Sequence, residues 1–134
     1  MNRKVREVTQ SLNTLSHDII GAAMTVHSAL GAGLLESAYQ HCLLYELNKQ
    51  GMNTQAQVLL PIHYDEQKID AGYRIDVLVE ESIIIELKTV ERLLPIHTAQ
   101  LLSYLKMSDK RLGLLINFNV LSLKNGIKRV ANAL

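Results

Sequence analysis

Cysteine is nearly absent from this chain. Of 134 residues only Cys42 carries a thiol, which excludes an internal disulfide and a multi-cysteine zinc site and fits a reducing, cytoplasmic setting. Tryptophan is missing and Phe118 is the one phenylalanine beside five tyrosines, so a broad aromatic stacking platform is excluded. Pro61 and Pro95 are the only prolines, and with seven glycines they form no low-complexity tract, repeat or linker. No apolar run approaches the roughly 18 residues that span a bilayer, so no membrane segment is expected. The charged opening MNRKVREVTQ is followed by no apolar core of a leader, so no secretory signal is expected either. The remainder, 48% apolar and 20% charged, has the composition of a soluble globular chain with length for one hydrophobic core.

Net charge is only +1, but it is unevenly spread. Residues 8–100 hold five basic and eleven acidic side chains, whereas residues 101–134 hold six basic ones against Asp109. An acidic middle and a basic end suit a cation site beside a polyanion track, and equally a plain solvated surface.

The first 13 residues read as a polar extension and residues 14–134 as one domain. Ser16 has the chemistry of an N-cap for HDIIGAAMTVHSAL, which places Ile20, Ala23, Met24, His27 and Leu30 on one face and ends at Gly31. A second helix is expected over Leu34–Lys49, with Glu36, Tyr39, Leu43 and Leu47 along one stripe and Gly51 as its stop. The period then changes to that of strands. TQAQVLLPIHY reads as one strand interrupted at Pro61, DEQKIDAG as a turn, and YRIDVLV and SIIIELK as two further strands. PIHTAQLLSYLKM follows as a helix opened by Pro95, then the strand RLGLLINF and a short last strand GIKRV. This order predicts an α/β (α+β) fold, a mixed central sheet flanked by helices.

SIIIELKTV poses the chemical question. Its apolar residues mark a core strand, yet it carries Glu86 and Lys88 on the face of Ile84. A three-residue connection (Glu80, Glu81, Ser82) pairs Val79 with Ile83 and sets Asp76 opposite Glu86, with Cβ atoms about 5 Å apart. A two-residue connection pairs Asp76 with Ile85 instead. In the first register two carboxylates repel unless a proton or a cation lies between them. A hard dication such as Mg²⁺ takes one or two carboxylates and keeps several waters. Lys88 stands about 6.6 Å further along the same face, within reach of a metal-bound water or a phosphate oxygen. These groups together describe phosphodiester hydrolysis.

Asp76 followed by ELK at Glu86–Lys88 resembles the PD-(D/E)XK nuclease superfamily, with Ile75 where that family's name-giving proline would stand. GLLESAY (Gly33–Tyr39) is similar to the signature of the GxxExxY protein family. QLLSY (Gln100–Tyr104) resembles the Gln-x-x-x-Tyr motif of RecB-type members. The likeness runs from about Ile19 to the C-terminal region. It implies a restriction-endonuclease-like core, αβββαβ, and a Mg²⁺- or Mn²⁺-dependent nuclease. By position, Asp76 and Glu86 correspond to metal ligands, Glu36 to an assisting helix carboxylate, and Lys88 to the group that orients the attacking water. Gln100 and Tyr104, with Tyr39 and His97 nearby, correspond to supporting or substrate-binding positions. Nucleic acid is the implied partner, DNA ahead of RNA, with a homodimer or protein partner to help grip it.

Each signal has a plainer reading. Glu36 alone is a first-turn carboxylate favoured by the helix dipole. Asp76 and Glu86 could pair with Arg74 and Lys88 as structural ions. Gln100 and Tyr104 could bond the sheet backbone, His27 reads as a satisfied core histidine, and Cys42 as core. The rival to an enzyme is a catalytically inactive module that keeps the nuclease fold to bind nucleic acid or protein.

Overall fold

The computed structural model describes residues 3–134; Met1 and Asn2, the start of the expected extension, lie outside the described residues. The first helix, α1, spans Arg3–Leu30, starting well before Ser16. No proline or glycine interrupts residues 3–20, Arg3 and Glu7 pair one turn apart, and Leu12, Ser16 and Ile19 continue one buried stripe. Ser16 is therefore a small residue inside a helix contact and not a cap. The buried face turns slightly from expectation, toward Ile19, Ala22, Ala23, Val26 and His27, with Ile20, Met24 and Leu30 at its margin. His27 is the satisfied core histidine expected, its Nε2 2.8 Å from the Val120 carbonyl.

Helix α2 covers Glu36–Lys49 and buries Tyr39, Leu43 and Leu47; Gly51, with φ 87°, lies just past its end. The stretch expected as one strand divides. Strand β1 is Thr54–Leu59, and after Leu60 and Pro61 a small hairpin forms from β2 (Ile62–Tyr64) and β3 (Gln67–Ile69). Asp65 and Glu66 both take positive φ in its turn, a conformation usually signalled by Asn or Gly, so the turn expected over DEQKIDAG is two residues long and the stretch after it is β3.

Strands β4 (Arg74–Val79), β5 (Ile83–Lys88), β6 (Leu112–Asn117) and β7 (Ile127–Ala131) join β1 in one sheet, ordered β1-β4-β5-β6-β7. Helix α3 (Pro95–Ser108) makes the crossover that lets β5 and β6 run parallel, and the other pairs are antiparallel. The core is αβββαβ with the β2–β3 hairpin inserted and β7 added.

Alternation on β5 and β6 feeds two apolar clusters. Ile83, Ile85, Leu87, Leu112, Leu114 and Ile116 pack with α1 and α2, whereas Ile84 and Leu115 pack with Leu101, Tyr104 and Leu105 of α3. A central strand covered on both faces needs apolar residues on both, which is why the two polar residues of β5 stand out. Each buried aliphatic side chain contributes about 1.5–3 kcal/mol. Tyr39 stacks on Phe118 with ring centroids 4.6 Å apart, locking α2 to the end of β6.

Two glycines are fixed by close approach. A Cβ on Gly113 would lie 2.8 Å from Leu101, and one on Gly126 would run into the Asn117 carbonyl oxygen. A leucine terminus can shift but a backbone carbonyl cannot. Gly126→Ala should therefore lower the melting temperature more than Gly113→Ala, with costs of about 1–3 kcal/mol for overpacking, as read by circular dichroism.

Candidate active site

Strands β4 and β5 pair in the three-residue register. Val79 faces Ile83, Leu78 faces Ile84 and Val77 faces Ile85, so Asp76 stands opposite Glu86. The connection needs no glycine, because Glu80 and Glu81 both adopt positive φ. Contacts to the neighbouring strand hold them there: Glu80 accepts from the backbone and side chain of Asn53, and Glu81 from the Gln55 amide.

Regular pairing ends at Val77–Ile85, and the next two rungs are made by side chains. The Asp76 N–H donates to Glu86 Oε2 at 2.8 Å, and the Leu87 N–H donates to Asp76 Oδ2 at 2.9 Å. Each carboxylate thus accepts a backbone proton from the opposite strand, and the pair sits in the opening between them. Ile75 joins the α3-side cluster although Val77, two residues on, lies in the other, so β4 rolls over at Asp76.

Glu86 is only 4% exposed. Burial, and then the charge of Asp76, push its carboxyl from the ordinary 4.5 up to about 8. Asp76 is also raised by burial, against hydrogen bonds from Leu87 and Gln57 and the Lys88 charge. Glu36, in the first turn of α2, is raised by burial and by Asp76, while Lys88 acts to lower it. Burial and then the acids' charges raise the Tyr104 hydroxyl too. Glu36, Asp76, Glu86, Lys88 and Tyr104 therefore share one electrostatic neighbourhood. The structural-ion reading fails on distance: among the described residues the ion pair within 4.0 Å is Arg3–Glu7, and neither Arg74 nor Lys88 closes on the acids.

Supporting residues divide. Tyr104 is buried, its ring tilted against Tyr73 at 6.0 Å, and half-buried Gln100 lies one turn before it. Tyr39 does not face a substrate. It is fully buried, and its hydroxyl donates to the Gly31 carbonyl at 2.6 Å and accepts from the Leu34 N–H, fixing the loop that delivers Glu36. His97 caps α3, its Nδ1 accepting from the Leu94 N–H at 2.9 Å.

Sequence reading passed over two residues. Asn117, 1% exposed, exchanges hydrogen bonds with both backbone groups of Val90, clamping the chain two residues past Lys88. An asparagine closing the apolar run LGLLIN was its signal. Gln57 of β1 acts to lower the Asp76 carboxyl and donates to Gln40 at 2.9 Å, and nothing in TQAQVLL marks it. The basic C-terminal third also departs from a single track beside the site. Leu112 pairs with Ile83, Leu115 with Glu86 and Asn117 with Lys88, so Lys110 and Arg111 lie at the far end of the sheet, about 13 Å or more from the row of Glu86. Arg129 turns to Asn13 of α1, and Lys128 pairs with Leu115 in the row of Glu86.

Among the described residues no three His, Cys, Asp or Glu side chains form a metal cage. Mg²⁺ asks for less, one or two carboxylates with water completing the shell. Asp76 and Glu86 meet that requirement: they are adjacent, both raised toward protonation, and backbone bonds occupy a minority of their lone pairs. The donor set fits a hard dication.

The sign of the pH dependence follows. Between the ordinary carboxylate range and about 8, the folded chain holds a proton on Glu86 that the unfolded chain has released. Stability is full below that window and falls as pH rises through it. The metal-free protein should lose melting temperature from pH 5 to 8. Glu86→Gln, whose amide oxygen can still accept from the Asp76 N–H, should remove most of that slope, leaving the smaller part from Asp76 and Glu36.

A family model described as the PD-(D/E)XK nuclease superfamily matches residues 13–130. No curated protein and no solved structure matches the chain. No helix among the described residues is long and apolar enough to cross a membrane. The family match spans most of the sequence and agrees with the five-stranded mixed sheet between helices, so the chain belongs to the PD-(D/E)XK nuclease superfamily.

Proposed function

We propose that this protein, within the GxxExxY group of the superfamily, is a divalent-metal-dependent phosphodiesterase acting on nucleic acid in the cytoplasm. One observation carries the reading: Asp76 and Glu86 are cross-bonded into the opening between β4 and β5, Glu86 buried and Asp76 half-buried, and among the described residues no cation pairs with either. Asp76 and Glu86 would hold Mg²⁺ or Mn²⁺, with Glu36 assisting from α2. When bound, the ion supplies Lewis-acid stabilisation of a phosphoryl oxygen and a more acidic water.

The chain's own residues do the rest. The Lys88 ammonium orients the attacking water and offsets charge gathering on the phosphate, and Tyr104 and Gln100 on α3 contact the substrate strand beside it. Lys128, in the row of Glu86, holds a neighbouring backbone phosphate. Such contacts read the backbone and not the bases, so binding weakens with salt and shows little sequence preference. DNA is the favoured substrate, and a second subunit or a protein partner would enlarge the small binding surface.

Purified protein should cleave DNA in Mg²⁺ or Mn²⁺ and stop on chelation. Asp76→Ala, Glu86→Ala and Lys88→Ala should each reduce the rate about 100-fold or more, at 1.36 kcal/mol of barrier per tenfold. Metal-dependent cleavage undiminished in the first two variants would place the activity elsewhere. Calorimetry showing no divalent-ion binding would instead favour an inactive module of the same fold.

A further inference from the structure

We infer that the substrate strand carries unpaired bases: Tyr73 stacks on one of them, and Leu35 and Ile96 seat their apolar ends between its neighbours. The inference rests on the nucleic-acid reading above and adds the substrate class. Leu59 pairs with Arg74 and Asn117 with Lys88, so the connections after β1, β5 and β6 all leave the sheet at the end that carries the acids. The Gly31–Leu34 loop comes to the same end, because Tyr39 bonds it while stacking on Phe118 just past β6. Among the described residues, nine of the twelve large apolar side chains left exposed lie at this end; Val5 and Val8 of α1 and Tyr45 of α2 are the others. Single exposed apolar residues are ordinary, but a concentration around one opening marks a contact surface.

Leu35 immediately precedes α2 and Ile96 lies in the first turn of α3. The two helices pack on opposite faces of the sheet, so these side chains, 77% and 67% exposed, flank the acids from both faces. Tyr73 stands three residues before Asp76, about 10 Å along the chain. Its carbonyl accepts from the Leu60 N–H at 2.8 Å and its ring rests against Tyr104, yet it stays exposed. Charge decides which nucleic acid this surface suits. Residues 60–74, 89–97 and 118–126 together hold four basic and four acidic side chains, so the rim around the acids has no net charge. A duplex hides its base faces and is gripped through phosphates, which calls for a basic surface. An unpaired strand offers its base faces as well, to aromatic rings and to apolar wedges. A neutral apolar rim fits the second, and stacking tolerates any sequence because every base has a flat face.

Fluorescence anisotropy with a labelled single strand of DNA and its blunt duplex, in chelator and again in Mn²⁺, tests this apart from catalysis. The single strand should bind about tenfold or more tighter than the duplex. Tyr73→Ala should weaken that binding about tenfold, and Tyr73→Phe, which keeps the ring, should restore it. Leu35→Ser with Ile96→Ser should also weaken it, whereas Tyr45→Ser, on an equally open side chain away from the rim, should not. Because these contacts neutralise no phosphate, the dependence of affinity on salt should be the same in Tyr73→Ala as in the wild type. Duplex bound and cut as well as the single strand, or rim variants that bind like the wild type, would overturn the inference and leave the nuclease reading standing; the rim would then face a protein partner. A preferred single strand that is never cut would sink the enzyme reading alone. No binding of either DNA, with or without Mn²⁺, would sink both.

Discussion

Two hydrogen bonds determine how this molecule is put together at its chemical end. Where β4 and β5 part, the carboxylate of each strand accepts a backbone proton from the other. A central strand cannot leave buried N–H groups unpaired without a penalty of about 1–3 kcal/mol each. Asp76 and Glu86 meet that demand while letting the strands separate. The same bonds force two acids together in a place where only one readily ionises. Strand pairing and acid–base chemistry are here one set of contacts.

The surrounding elements hold that opening in place from several directions. Tyr39 stacks on Phe118 and pins the Gly31–Leu34 loop, which sets where α2 begins and so where Glu36 lies. Asn117 and the Phe118 N–H bond the segment from Lys88 to Val90, fixing the strand end from which the ammonium projects. Both devices draw on the last residues of β6, so the parallel β5–β6 pair is the base on which Glu36 and Lys88 converge. The crossover through α3 makes that pairing available and brings Tyr104 to the same place.

The acid pair was legible because side-chain parity leaves few choices. Only the three-residue register puts Asp76 and Glu86 on one face, and once that is chosen Lys88 follows. The stripe Tyr39, Leu43, Leu47 and the stop at Gly51 were legible through helical period. What escaped depended on backbone states that side-chain identity does not announce. Gln57, Asp65, Glu66, Glu80 and Glu81 all take positive φ without being glycine or asparagine. The turn read over DEQKIDAG was therefore too long and hid β3, and Gln57 looked like an ordinary ladder residue. Ser16 misled for a different reason: a small polar residue suits a helix cap and a tight helix contact equally, and only burial separates them. The basic C-terminal third failed as a patch because antiparallel β6 and β7 send neighbouring charges to different ends and faces of the sheet.

Burial and a second acid push the Glu86 carboxyl up to about 8, so near neutral pH the acid pair holds a proton. The cation of the proposed function would have to displace it. For a singly charged ion the exchange replaces one positive charge by another of larger radius, and little is gained. A doubly charged ion neutralises both carboxylates at once, and the attraction strengthens as the surroundings exclude water. On the proposed reading, selection for divalent ions would come from the proton already present and would not require a complete cage. The burial that makes the acids costly to ionise is also what would make a dication the occupant best able to replace that proton.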